Sequence, residues 1–185
     1  PWVQNPNASV DRQRFEKALP LFRKYGKQYD FDALLLVAQG YQESKLDQST
    51  RNRSGAVGVM QIKPSTAKGD PVNIVDVQTN MEKNIHAGVK YLRHLADDYF
   101  ADPDITPLNQ HLLAIAAYNA GPTRVQALRR KAEAQGLDPN VWFANVELVS
   151  AREIGRHNVG YVRNILKYWM AFRLAAELDK PIYAQ

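Results

Sequence analysis

Two stretches of this chain are apolar almost all the way round a helix, and they constrain its fold more than any other feature. FDALLLVAQGYQES, from Phe31, carries Leu34, Leu35, Leu36, Val37 and Ala38 in succession; LNQHLLAIAAYNA, from Leu108, is apolar over Leu112 to Ala117. A helix without a polar face belongs inside a domain, wrapped by other elements. The chain has 185 residues, 45% of them apolar, which is enough for one domain with a sizeable core.

The remaining segments supply the wrapping. Residues 1–8 (PWVQNPNA) read as an extended lead-in. Ser9 is placed to N-cap a first helix with Phe15, Leu19 and Phe22 on one face, kinked at Pro20 and ended by Gly26. Asp32 caps the first apolar helix, which runs to about Ser44, and residues 45–62 form a loop with Gly55 and Gly58. Pro64 opens a short helix, PSTAK, broken by Gly69 and Pro71; DPVNIVDV is an extended connector. Ile85, Val89, Leu92, Ala96 and Tyr99 make a helical stripe. Thr106 and Pro107 start the second apolar helix and Gly121-Pro122 stops it. A further helix holds Val125 and Leu128 and ends near Gly136, and PNVWFANV reads as a short helix. A last helix runs from about His157 to Leu178 with Val162, Ile165, Leu166, Trp169 and Phe172 inward. No alternating strand pattern with hairpin signals occurs, so the fold class is mainly α.

Several chemistries are excluded. There is no cysteine, hence no disulfide or thiolate site. His86, His94, His111 and His157 have no metal-ligand spacing, and no P-loop, GxSxG or HExxH occurs. No metal or cofactor is expected. The net charge of +5 suits an anionic polymer or plain solubility. No basic stripe with interleaved aromatics suggests nucleic acid; Arg51 and Arg53, and Arg129 to Lys131, read as solvated surface. No apolar run approaches the roughly 20 residues of a membrane span.

Three segments remain as carriers of chemistry. Glu43 closes the first apolar helix. A carboxyl group there is partly desolvated and meets the negative end of the helix dipole; both effects favour the protonated form, so Glu43 suits a general acid. A surface Glu, or a structural ion pair, is the alternative. SGAVGVMQI, Ser54 to Ile62, follows. Gly55 and Gly58 let a ligand approach the main chain, Met60 offers a soft face to a ring and Gln61 an amide. The alternative is an ordinary tight loop with Met60 in the core. In AAYNAGP, Tyr118 and Asn119 end the second apolar helix, either at a cleft or as a core Tyr and a capping Asn. Tyr161, in NVGYVRNI, has the same double reading.

In this order the motifs resemble those of the family-1 lytic transglycosylases. The family pattern is Glu-Ser, then Gly-Ala-x-Gly-(Leu/Val)-Met-Gln-(Ile/Leu)-x-Pro-x-Thr-Ala, then Ala-Tyr-Asn-Ala-Gly. Here these are Glu43-Ser44, Gly55 to Ala67 and Ala117 to Gly121, with a looser Glu153 and Tyr161-Val162. The likeness covers about residues 28–175 and is nearest the membrane-bound F type. It implies a lysozyme-like helical domain over residues 9–185, with a cleft. The reaction implied is cleavage of the β-1,4 bond between N-acetylmuramic acid and N-acetylglucosamine in peptidoglycan, leaving a 1,6-anhydro ring. Glu43, Tyr118 and Tyr161 would be catalytic; Ser54, Gly58, Val59, Met60, Gln61, Asn119 and Ala120 would bind glycan. Many members have Ser where this chain has Asn52, with Ser54 beside the glycine; which of the two meets substrate is open. The resemblance further implies a periplasmic monomer, an upstream solute-binding-like regulatory module and attachment to the outer membrane. A goose-type-lysozyme-like hydrolase and a non-catalytic glycan-binding module are the rival readings.

Overall fold

A computed structural model describes residues 8–178; residues 1–7 of the lead-in expected over 1–8, and the tail, lie outside the described residues, and Ala8 already opens the first helix, so Ser9 lies within it and does not cap it. The helices are α1 (Ala8–Tyr29), α2 (Ala33–Ser44), α3 (Pro64–Lys68), α4 (Met81–Tyr99), α5 (Pro107–Ala120), α6 (Pro122–Ala134), α7 (Glu147–Glu153) and α8 (Arg156–Leu178). The only β-type pairings among the described residues are the isolated bridges Arg51–Val57 and Val57–Ile62. The mainly α class read from the sequence is the one found. The chain forms two compact units, one of residues up to Val89 with those from Asn164 on, the other Lys90–Arg163.

In the first unit α1 packs on α2. Ala18, Phe22 and Tyr25 are the buried face of α1, whereas Phe15 and Leu19 are only half-buried. The helix continues through Pro20 and past Gly26 to Tyr29. Gly26 is therefore no terminator. Its bare Cα admits the chain reversal that follows: a Cβ there would lie 2.8 Å from the Phe31 carbonyl oxygen. Asp32 caps α2 as expected, its Oδ1 accepting from the Leu35 N–H at 2.9 Å and from the Trp169 indole at 3.1 Å. Leu35, Leu36, Val37 and Ala38 are buried, each of the larger three contributing about 1.5–3 kcal/mol. Gly40 lets Phe22, Leu46 and Val59 close on the helix, since a Cβ would meet them at 3.0 to 3.2 Å. The C-terminal part of α8 joins this unit: Tyr41 packs edge-on to Tyr168 at 4.9 Å and to Phe172 at 5.9 Å.

The second unit is built on α5, buried from Leu112 to Ala117. Thr106 caps it and Pro107 opens it, as the sequence indicates. Gln110 donates to the carbonyls of Ala96 and Phe100 (both 3.2 Å), satisfying the exposed end of α4. Two expectations fail here. WFANV is not a regular short helix: Phe143 (ψ 139) and Ala144 (φ 56) leave helical geometry so that Trp142 and Val146 can both be buried. Arg129 is not solvated surface, because its Nε donates to the Pro139 carbonyl at 2.9 Å and its side chain is 12% exposed.

Candidate active site

Glu43 is the penultimate residue of α2 and is half-buried. The helix stops after Ser44 because Lys45 turns to a left-handed conformation (φ 56) and its N–H returns to the Gly40 and Tyr41 carbonyls. Ser44 then links the acid's helix to the glycine loop. Its Oγ lies 2.9 Å from the Val59 carbonyl and 3.2 Å from that of Gly40, and it accepts from the Asp47 N–H at 3.2 Å.

The loop is held almost wholly by its own backbone and by amide side chains. The Gly58 N–H donates to the Thr50 carbonyl at 3.0 Å, and Val57 N–H to Ile62 at 3.1 Å. Gly58 has φ 76, and a Cβ there would sit 2.2 Å from Asn84 Nδ2, so glycine is required both by conformation and by space. Asn52 Oδ1 accepts from Ser54 N–H, Ser54 Oγ and Ala56 N–H at 2.8 to 2.9 Å. The Asn52 and Ser54 side chains, alternatives in the sequence, are thus bonded to each other at the exposed edge of the loop.

Other loop residues sit differently from their ligand-facing reading. Met60 is fully buried; a Cβ on Gly88 of α4 would lie 2.5 Å from the Met60 Cβ. The core reading of Met60 is the one this packing fits, and Val59 is likewise buried. Gln61 adopts φ 45 and turns its Nε2 onto the carbonyls of Gly58 (2.9 Å) and Thr50 (3.2 Å). Its amide group bonds the loop itself.

The remaining candidates belong to the second unit. Tyr118 is half-buried near the end of α5, its ring 5.5 Å from that of Tyr91, whose phenol is pushed up in pKa by burial. Asn119 is exposed, and its Oδ1 accepts from Asn158 Nδ2 at 3.0 Å. Asn158 also donates to the Ala116 carbonyl (3.0 Å) and accepts from Ser150 Oγ (3.2 Å), so it holds the last turn of α5 at Ala116 and Asn119; Ala120, the last residue of that helix, is half-buried. Tyr161, one turn beyond Asn158 on α8, is 5% exposed.

Asn158, Asn84 and Gln48 were missed by the sequence reading. Each is a single polar residue outside any motif, and only tertiary placement marks it.

The transglycosylase SLT domain pattern matches residues 20–140, taking in α2, the glycine loop and most of the second unit. The chain belongs to this family. The SLT domain, lysozyme-like in fold, is similar to the membrane-bound lytic murein transglycosylase F of Vibrio parahaemolyticus, at 35% identity over 72% of this chain and 26% of the relative. It is also similar to proteins of the same name from Desulfosudis oleivorans (32%, over 84% of this chain and 36% of the relative) and Shewanella woodyi (32%, 86% and 36%). This SLT domain thus spans about a quarter to a third of the length of the curated relatives it matches. Among its described residues, no helix is long and apolar enough to cross a membrane.

Proposed function

We propose that this chain is the catalytic part of a peptidoglycan lytic transglycosylase with Glu43 as its one acid and base. The observation that carries the reading is the placing of Glu43: half-buried at the end of α2, with the next residue bonded to the glycine loop. The family and the names of its relatives support the lytic transglycosylase part of the reading; the role of Glu43 rests on its placing.

Most glycosidases pair two carboxylates. The three closely matched motif segments offer Glu43 as their one carboxylate, so the sugar is assigned the second role. Protonated Glu43 gives its proton to the glycosidic oxygen as the C1–O bond breaks. The 2-acetamido oxygen of the muramyl residue attacks C1 and forms an oxazolinium ion. The C6 hydroxyl then attacks C1, the acetamido group leaves, and the Glu43 carboxylate takes the C6 proton. Glu43 ends protonated, and the products are a free 4-hydroxyl and a 1,6-anhydro end, with no water consumed. Tyr118 and Tyr161 are assigned to orienting Glu43 or the acetamido group. Ser54, Asn119 and the Gly58 backbone are assigned to flanking sugars, and Met60 and Val59 to supporting the loop from beneath.

The enzyme is assigned to the periplasm, as the family resemblance implies. The membrane association in its relatives' names, and the regulatory module implied for the F type, are assigned to sequence beyond the matched part of those relatives. Digestion of purified sacculi followed by mass spectrometry tests the reaction. Transglycosylation yields ends lighter than hydrolytic ends by the elements of water. Hydrolytic ends would make the chain a muramidase, and no released product would leave a binding module. Glu43→Gln should lose turnover by at least about a thousandfold while still binding glycan.

A further inference from the structure

We propose that Gln48 and Asn84 form an amide clamp that sets the position of the Gly58 loop for glycan binding, which makes both of them positioning residues; this rests on the reading of that loop as a glycan-contacting wall. Two primary amides converge there from different elements. Asn84, fully buried on α4, accepts from the Met60 N–H at 2.8 Å and donates to the carbonyls of Val57 (2.8 Å) and Val77 (3.0 Å). Gln48, in the loop after α2, accepts from the Val59 N–H at 3.2 Å and donates to the carbonyls of Val77 (3.0 Å) and Gln78 (3.3 Å).

The two side chains hold successive N–H groups of the loop and share the Val77 carbonyl as an anchor. They pinch Gly58, where a Cβ would stand 2.2 Å from Asn84 Nδ2 and 2.7 Å from Gln48 Oε1. Both amide hydrogens of Asn84 and its oxygen are used, and a satisfied buried network of this kind specifies one geometry. The loop needs such a device, since its only ladder pairings are single bridges and Gly58 and Gln61 both have positive φ. The clamp also reaches the acid's helix: Val59 is held at its N–H by Gln48 and at its carbonyl by Ser44, the residue after Glu43.

A purely structural pair would change the folded fraction and leave glycan affinity alone. A positioning pair changes affinity in the molecules that are folded. The test measures KM on peptidoglycan and kcat per folded molecule for Asn84→Ala and Gln48→Met. Kd for a purified peptidoglycan oligosaccharide is measured in the Glu43→Gln background, and amide exchange at Val59 and Met60 by NMR. Gln48 is only half-buried, so its variant keeps the test open should Asn84→Ala fail to fold. KM and Kd should rise by about tenfold with kcat changing less, and the Val59 and Met60 amides should lose protection while those of α1 keep theirs. Unchanged KM and Kd, with or without a lower Tm, overturn the proposal, as does unchanged protection. A parent protein that neither binds nor cleaves glycan instead sinks the reading of the loop as a glycan wall. That outcome is distinct from a parent that binds with variants that bind as well.

Discussion

The Ser44 hydroxyl lies 2.9 Å from the Val59 carbonyl oxygen and joins the end of the Glu43 helix to the centre of the glycine loop. Because Ser44 is buried, no water replaces this bond cheaply when it is lost. Ser44→Ala also leaves the Asp47 N–H without its side-chain acceptor. The variant should lose about 1–2 kcal/mol of stability in urea unfolding. Its kcat per folded molecule should fall by about tenfold, as expected when a general acid loses its positioning. Parental kcat in a destabilised Ser44→Ala protein would confine the residue to a structural role.

Tyr118 and Tyr161 differ in surroundings, and their variants should separate. Tyr161 is buried, so Tyr161→Phe keeps its packing and removes only the hydroxyl. Tyr118 is half-buried with its ring tilted on Tyr91. If each phenol orients Glu43 or the acetamido group, each Phe variant should lower kcat by roughly tenfold and shift stability by less than about 1.5 kcal/mol. Parental rates in both variants would return the tyrosines to the core.

What was legible in the sequence was whatever burial and capping dictate locally. α2 was readable from its run of Leu and Val and from Asp32, and α5 from Thr106-Pro107 and Gly121. Gly26 misled because glycine serves two purposes. It ends helices, but here it stays helical and makes room for the Phe31 carbonyl. Trp142 to Val146 misled because the demand to bury Trp142 outweighed helical propensity. α7 was not anticipated, and its buried Glu147, paired with Arg163, resembles a solvated residue in a one-dimensional reading. Within the site, Glu43 and the loop stood out by type and order. The amides that hold the loop did not, because Asn84 sits in the polar-looking run MEKN, and nothing in a single sequence says which way it points.

Gly58 tests how tightly that loop is built. Gly58→Ala asks an L-residue to hold φ 76 and drives a methyl group to 2.2 Å from Asn84 Nδ2. Strain and overpacking together should cost about 2–4 kcal/mol. Gly55 has φ 85 with nothing within 4 Å of an added Cβ, so Gly55→Ala carries the conformational cost alone, about 1–2 kcal/mol. Equal losses for the two variants in urea unfolding would show that the Asn84 contact yields freely.

Asp47, three residues beyond the acid's helix, supplies a pH dependence on the acid side. Its carboxylate accepts from Ser49 Oγ at 2.7 Å and Ser49 N–H at 2.8 Å, and pairs with Arg14 of α1 at 2.5 Å. The Ser49 hydroxyl, helped by that N–H and by the arginine charges, holds the carboxyl below its ordinary pKa against the opposing effect of burial. A depressed folded pKa means that the unfolded chain binds the proton first. The stabilisation is therefore complete above the unfolded value of about 4 and is lost as pH falls through the lower folded value. Asp47→Asn keeps an acceptor for Ser49 but gives up the charge facing Arg14. It should cost about 1–2 kcal/mol at neutral pH. The gap to the parent should narrow steadily below about pH 4. Urea midpoints measured across that range decide the matter. A gap that stays constant into the acid limb would mean that shape, not charge, is what Asp47 contributes between α1 and the loop.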